Sequence, residues 1–421
     1  MDNLTALMRI IDSGDVKYYT LGELGKFYGG LSGKSKDDFV NGNAKFITYK
    51  NVYSNPELDL DVTDTVRINP GEKQRTLEYG DIIFTGSSET PEECGFSSVV
   101  TQKTDEKLYL NSFCFVFKFD DPSLMLPDFA KHLFRSYELR KQIVKTASGV
   151  TRYNVSKKLM EKVIIPIPTI ETQRKIVEIL DSFLDLVIKL NEELELRRKQ
   201  YSYYIDLLYG GNYEGMVALK DKGAKIMKLS EVGTLTRGKR FVHADAVENG
   251  VPCIHYGELY THYGIWANKT KSYVREELRP KLRYAKKNDV IIVGAGENNI
   301  DIGVGVAYLG DEPVAIHDAC YFLEHNINPK YISYYLRTSM YHNQIKKYVS
   351  SGKICAISAD GLGRALMPVP SLDEQDKIVK MLDQFDLLCN STEIGLPAEI
   401  EARINQYEFY RNKLMTFKKM A

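Results

Sequence analysis

Ile165-Pro-Ile-Pro-Thr-Ile-Glu-Thr-Gln-Arg-Lys-Ile-Val-Glu-Ile-Leu-Asp181 and Met367-Pro-Val-Pro-Ser-Leu-Asp-Glu-Gln-Asp-Lys-Ile-Val-Lys-Met-Leu-Asp383 are two versions of one stretch, 202 residues apart. Other pairs support an internal repeat. Tyr19-Thr-Leu-Gly-Glu-Leu-Gly-Lys-Phe27 matches Met227-Lys-Leu-Ser-Glu-Val-Gly-Thr-Leu235, and Gly80-Asp-Ile-Ile-Phe-Thr-Gly-Ser-Ser-Glu89 matches Asn288-Asp-Val-Ile-Ile-Val-Gly-Ala-Gly-Glu297, both at an offset of 208. Arg197-Arg-Lys-Gln-Tyr-Ser-Tyr-Tyr204 matches Arg403-Ile-Asn-Gln-Tyr-Glu-Phe-Tyr410 at 206. Between these stretches the copies differ almost completely, which predicts one scaffold carrying two different recognition surfaces.

From the deciding stretch the pattern runs on as a helix. Ile176, Leu180, Phe183, Val187, Leu190, Leu194, Arg197, Tyr201, Tyr204 and Leu208 recur at alternating spacings of four and three, a heptad seam with a single charged position. A helix over 169–210 is about 60 Å long at about 1.5 Å per residue and must find a partner. The second copy supplies Ile378, Leu382, Phe385 and Cys389, then Ile400, Arg403, Tyr407, Tyr410, Leu414 and Phe417. Its four extra residues and Gly395-Leu-Pro397 predict a break near 395–397, with Pro397 opening a second helical segment.

The stretches before the helices, 18–168 and 226–370, read as globular. Lys45–Tyr49, Asp81–Thr85, Ser112–Phe117 and Val290–Val293 are short β-branched and aromatic runs between glycine and asparagine clusters, the chemistry of strands and turns. Pro127–Lys145 and Pro329–Tyr348 start at a helix-tolerated proline and run with helical period. The expected fold class is α+β: a helical segment over 1–17, a globular domain over 18–168, a long helix over 169–210, a linker over 211–225, a second globular domain over 226–370 and a second, broken helix over 371–421.

Composition excludes more than it identifies. The 56 basic residues balance the 56 acidic ones, yet the charges are blocked. Lys131–Lys162 holds nine basic residues against two acidic, Lys269–Lys287 eight against two, and Ser54–Glu93 three against ten. No apolar run approaches the roughly 18 residues of a membrane span. Met1–Asp12 reads as a short amphipathic helix with no cleavage site after it, so a cytoplasmic protein is expected. The six cysteines are scattered, with no Cys-x-x-Cys and no zinc-site spacing, so neither a metal site nor a disulfide framework is expected.

Enzymatic motifs fail on inspection. Gly29-Gly-Leu-Ser-Gly-Lys-Ser35 suggests a phosphate loop, but the first glycine of that motif would fall at Tyr28, and Lys36-Asp-Asp38 and Asn41-Gly-Asn43 after it read as loop. Gly294-Ala-Gly296 and Gly303-Val-Gly305 complete no dinucleotide fingerprint. Asn69-Pro70 and Asn328-Pro329 are not followed by proline and an aromatic, so the motif with which amino-methyltransferases hold a flipped base is absent. His243, His255, His262, His317, His325 and His342 form no triad or metal spacing; His317-Asp318 is the pair placed to reach a base or phosphate.

Two dissimilar globular regions, each followed by Ile/Val-Pro, an acid-x-Gln (Glu171-Thr-Gln173, Asp373-Glu-Gln375) and a long helix ending in Arg-x-x-Gln-Tyr, resemble the DNA specificity subunit of type I restriction-modification systems. Gly395-Leu-Pro-Ala-Glu-Ile-Glu-Ala-Arg403 is similar to a segment near the C-terminus of such subunits. The resemblance covers nearly the whole chain. It implies two target recognition domains, one per half of a split double-stranded DNA site, and two long helices packed as an antiparallel coiled coil with pseudo-twofold symmetry. It also implies docking of two methyltransferase subunits and of restriction subunits. The chain itself would be non-catalytic and hold no cofactor, the partners using S-adenosylmethionine, ATP and Mg. Gln173, Gln375, Gln200, Tyr201, Gln406 and Tyr407 are the partner-binding residues it implies. Because the break occurs only in the second helix, the two docking surfaces are expected to differ.

Candidate DNA contacts are sought in loops at matching places of the copies. They are Lys34, Ser35 and Lys36 with Arg237, Lys239 and Arg240; Ser87 and Ser88 with Gly294-Ala-Gly296; and Thr151, Arg152 and Tyr153 with Lys353. Arginine and lysine serve phosphates and guanine, serine and threonine bond to either, and small residues admit a close backbone. The alternative is a coiled-coil interaction scaffold that binds only protein, distinguished by the lack of salt-dependent DNA binding.

Overall fold

A computed structural model describes residues 16–350 and 352–417; the predicted helix at 1–12 lies outside them. The chain forms two compact units, residues 1–190 with 400–421 and residues 191–399. Each unit thus joins one globular part to portions of the long helices.

In the first unit, Gly25–Gly29, Cys114–Phe119, Ile82–Thr85 and Ser97–Val99 make a four-stranded antiparallel sheet in that order. A second sheet runs Thr65–Val66, Ala44–Ile47, Leu108–Leu110, with its last pair parallel. Ile82, Phe84, Val99 and Phe117 are fully buried with Phe129 and Leu133 of a helix and Phe134 just after it. Lys17–Thr20 pairs with Ile164–Ile167 and ties the two ends of the globular part together. Pro166 sits in this two-stranded ribbon, where the ladder bond that a proline cannot donate is dispensable.

The second unit repeats the plan with longer sheets. Gly233–Arg237, Cys320–His325, Val290–Val293, Gly305–Tyr308 and Trp266–Ala267 form one; Ala246–Val247, Ser272–Val274, Val251–Ile254, Val314–Ile316 and Tyr284–Ala285 form the other. Lys225–Lys228 pairs with Leu366–Val369, with Pro368 where Pro166 stands in the first copy. The stretch 211–225 carries a short helix, Tyr213–Ala218, capped by the Asn212 side chain.

Local chemistry moves several predicted boundaries. Lys45–Tyr49 is a strand only to Ile47, because Thr48 caps a helix starting at Tyr49. Pro127–Lys145 and Pro329–Tyr348 are not single helices. The first divides at Ser136 and the second at Thr338, whose hydroxyls donate to the carbonyls of Leu133 and Tyr335 and compete with the helical ladder; the second then ends in a 3-10 turn, Lys346–Tyr348. Lys36-Asp-Asp38, read as loop, lies in a 3-10 turn, Lys36–Phe39.

The long helix spans Ile170–Leu208, and the second copy gives Leu372–Asn390 and Leu396–Leu414. All twenty predicted seam positions are buried or half-buried. In the first unit Ile176 and Leu180 share a core with Tyr407 and Leu414, and Phe183 stacks on Tyr410 at 5.3 Å. In the second, Phe385 stacks on Tyr204 and Tyr201 while the Tyr201 hydroxyl reaches Asp386, the order of an antiparallel register. The second helix is interrupted between Asn390 and Leu396. A Cβ on Gly395 would stand 2.4 Å from the Leu387 carbonyl oxygen, so only glycine lets the chain close this turn.

Candidate nucleic-acid interface

In the first unit the fold brings together two loops that are about 60 residues apart in sequence. Ser87–Ser88 pairs with the strand Tyr153–Val155, which forms a hairpin with Ala147–Gly149. Beside them opens a cleft of about 550 Å³ lined by Tyr49, Tyr53, Ser87, Ser88, Glu89, Glu93, Phe113, Thr151 and Arg152. Tyr49 donates to the Ser87 carbonyl (2.8 Å) and stacks on Tyr53. Tyr53 and Ser88 donate to Glu93 at 2.8 and 2.9 Å, and these bonds hold its carboxyl below the usual range. Arg152 bonds Ser87 Oγ at 3.2 Å and lies over the exposed Phe113 ring.

Two half-buried arginines set this cleft. Arg135 donates to the carbonyls of Ser97, Val52 and Tyr53, and Arg140 to those of Glu92, Cys94 and Gly95, both packed on Phe96. Burial lowers each guanidinium to about 10, which leaves both charged at neutral pH. Together they fix Tyr53 and the loop that carries Glu93.

The second unit builds the corresponding place with different side chains. Ala295–Gly296 pairs with Cys355–Ala356. Gly86 and Gly294 precede the matching strands for one reason: an added Cβ would approach the Phe113 carbonyl oxygen to 2.6 Å in one copy and the Tyr321 ring to 2.5 Å in the other. Two clefts flank Ala295. One, about 380 Å³, is lined by residues including Arg237, Asp318, Tyr348 and Ser350. The other, about 500 Å³, is lined by residues including Tyr256, Glu297, His317, Lys353 and Ile354.

Arg237 is held by the Asp318 carbonyl at 2.7 Å. His317 stacks on His255 at 4.3 Å, with Phe241 edge-on to both. Its Nδ1 accepts from the Ala319 amide, so the proton belongs on Nε2, which faces the Phe241 carbonyl. Burial lowers the pKa of both histidines. Lys239 and Arg240 are exposed.

The structure therefore joins Ser87 and Ser88 to Thr151, Arg152 and Tyr153, and Gly294-Ala-Gly296 to Lys353 and Arg237. It does not bring Lys34, Ser35 and Lys36 to the first cleft. Lys34 is 5% exposed at its side chain and makes a 2.6 Å ion pair with Glu72 plus a bond to the Arg67 carbonyl; the Lys34 bond, with those from the Asn69 amide and Gln74, holds the Glu72 carboxyl down to about 2. Its ammonium is spent inside the fold, which corrects its expected phosphate contact. Nor is it the counterpart of Arg237. Gly25–Gly29 matches Gly233–Arg237, so Arg237 answers to Gly29, and the Lys34 loop starts further on. Ser35 and Lys36 are exposed.

The expected partner-binding residues have bonds within the chain itself. Gln173 is wholly buried; its Oε1 accepts from the Leu126 amide and its Nε2 donates to the carbonyls of Leu124 and Pro168. Gln375 does the same with Asn328 and Pro370. Both lock a helix start to its globular part. Tyr201 and Tyr407 are also buried, their hydroxyls on Asp386 and His132. Gln200 and Gln406 are half-buried and accept from Arg197 and Arg403 on their own helices.

The sequence reading missed Tyr49, Tyr53, Phe113, Glu93 and Tyr256. Tyr49 and Tyr53 carried a usable signal, an aromatic pair at i, i+4. Glu89 and Glu297 carried another, the same residue at the same place of both copies.

The family model described as "Type I restriction modification DNA specificity domain" matches residues 13–196 and 221–402, and the chain belongs to this family. It is 33% identical over 276 residues to the type I restriction enzyme EcoR124I/EcoR124II specificity subunit of Escherichia coli, an alignment spanning 63% of this chain and 65% of that relative. The fold is similar to the HsdS subunit from Thermoanaerobacter tengcongensis, with a TM-score of 0.55, 18% identity and 95% of this chain and 96% of that one covered. It is also similar to a chain from a structural study of complex assembly and conformational transition of the type I R-M system, with a TM-score of 0.63, 16% identity and coverage of 96% and 98%. Among the described residues no helix is long and apolar enough to cross a membrane, and no group of three or more His, Cys, Asp or Glu side chains is placed to hold a metal ion.

Proposed function

We infer that this chain is the non-catalytic specificity subunit of a cytoplasmic type I restriction-modification complex. It reads a bipartite duplex target, one half-site per copy of the repeat, and docks two methyltransferase subunits and the restriction subunits. S-adenosylmethionine, ATP and Mg would be used by those partners and not by this chain.

One observation carries the reading. The same strand pairing occurs at the same place of both copies, Ser87–Ser88 with Tyr153–Val155 and Ala295–Gly296 with Cys355–Ala356, beside clefts whose side chains differ. Family membership supports it, and so do the cationic and hydroxyl groups at the clefts, which suit phosphates and base edges. A protein-only scaffold has no use for two differently furnished clefts on one framework.

The test is co-purification of the full-length chain with its methyltransferase partner, followed by mapping of methylated adenines. A split motif is expected. Replacing residues 18–168 by another recognition domain should change one half of it and leave the other half and the gap as they were. A change in both halves, or no sequence preference, rejects the reading.

A further inference from the structure

Glu89 and Glu297 occupy the same position of the repeat, directly after the matching short strands, and each lines the cleft of its own unit. Both are exposed. Among the described residues neither enters a hydrogen bond or ion pair, unlike Glu93, which is consumed by Tyr53 and Ser88. Each shares its cleft with a cation that also forms no ion pair among the described residues, Arg152 in the first unit and Lys353 in the second. A folded chain thus keeps a carboxylate and a cation apart at one cleft, and does so twice.

A carboxylate has no favourable contact with a phosphate backbone, where like charges repel. What it can accept from in the major groove is the exocyclic amino group of cytosine or adenine, the N4 and N6 donors. A cation opposite it serves guanine O6 and N7 or a phosphate. We propose that Glu89 and Glu297 are specificity-determining residues, each accepting a hydrogen bond from the exocyclic amino group of one base in its own half-site. This rests on the DNA-reading function proposed above and deepens it: each cleft demands an amino-bearing base at one position. Arg152 sets a cation against Glu89 and Glu93 in the first cleft, and Lys353 one against Glu297 in the second.

The test uses the full-length chain purified with its methyltransferase partner and a randomised duplex library, with the bound fraction sequenced for the wild type, Glu89→Ala and Glu297→Ala. Each variant should lose its preference for adenine or cytosine at one position, by about 5- to 150-fold. The position should lie in one half-site for Glu89→Ala and in the other for Glu297→Ala, with the rest of the motif intact. If both variants enrich the wild-type motif, the proposal is overturned and the DNA-specificity reading stands. The same holds if they bind every sequence more tightly with no change in preference, which would make the carboxylates general repellers of the backbone. A wild-type complex that enriches no split motif overturns the underlying reading, and the proposal with it. Both residues are exposed, so unchanged melting temperatures are expected, and thermal unfolding of each variant verifies that the fold is intact.

Discussion

His132 Nε2 lies 2.7 Å from Asp181 Oδ1, joining a helix of the first globular part to the long helix, with no exposed surface on the imidazole. Its Nδ1 accepts from the Tyr407 hydroxyl at 2.9 Å, which makes the ring neutral with its proton on Nε2. Lys131 pairs with the same aspartate. In the second copy the matching Asp383 is met by Tyr334 at 2.7 Å and by Lys330 at 2.8 Å. One scaffold contact is thus built with a titratable ring in one copy and a phenol in the other.

The first prediction is a pH dependence. Burial is the largest cause that lowers the His132 pKa below 6.5, with Lys131 and Arg411 adding to it. The unfolded chain therefore binds more protons as pH falls, so stability is present above about 6.5 and is lost below it. The Asp181 pKa is lowered from 3.8 and contributes only at lower pH, which separates the two. His132→Gln should lower stability by about 1–3 kcal/mol at pH 7.5, since it disturbs a buried polar network. The gap to wild type should narrow as pH falls from 6.5 to 5, as measured by thermal unfolding across that range.

Gln173→Ala and Gln375→Ala should each destabilise the free chain by roughly 2–4 kcal/mol, because each strands a buried amide N–H and buried carbonyls. Denaturant unfolding of the chain without partners measures this. Wild-type stability of both variants would return these glutamines to a docking role.

Arg140→Ala should spoil one half-site only. Its guanidinium bonds three carbonyls of the loop that carries Glu93. Losing these charge-assisted bonds should release that loop, with a loss of about 2–3 kcal/mol in stability. Site mapping on the assembled complex should show relaxed preference in the half read by the first copy and an unchanged second half.

Arg237, Lys239 and Arg240 should govern ionic-strength dependence if they meet phosphates. Changing two of them to alanine is expected to flatten the slope of log affinity against log salt by about 0.9 per lost contact. Should one of them read guanine, discrimination at that base falls by about 1–3 kcal/mol while the slope hardly moves. Lys34→Ala should leave both slope and preference unchanged, since its ammonium is committed to Glu72. Affinity titrations at several salt concentrations distinguish these outcomes.

Gly395→Ala should be destabilising despite adding one methyl group, by about 1–3 kcal/mol, because the new Cβ meets the backbone oxygens of Leu387, Leu388 and Ser391 within 2.9 Å. Thermal unfolding measures the cost.

The repeat, the α+β class, the seam and the break at Gly395 were all legible in the sequence. Periodicity and turn chemistry are local: a heptad needs only residues three and four apart, and a glycine stop declares itself within one turn. What the sequence could not say is which polar groups the fold consumes. Gln173 is spent on Leu126, Lys34 on Glu72 and Tyr53 on Glu93, at separations of 47, 38 and 40 residues. Nothing short-range distinguishes these from Arg152, Glu89 or Lys353, which the same packing leaves facing a cleft. The matching loops of the two copies could be aligned by eye, but only strand pairing across long separations decided that they meet. Burial and partnership are properties of the whole chain folded at once, and they divided the structural side chains from those free to act on another molecule.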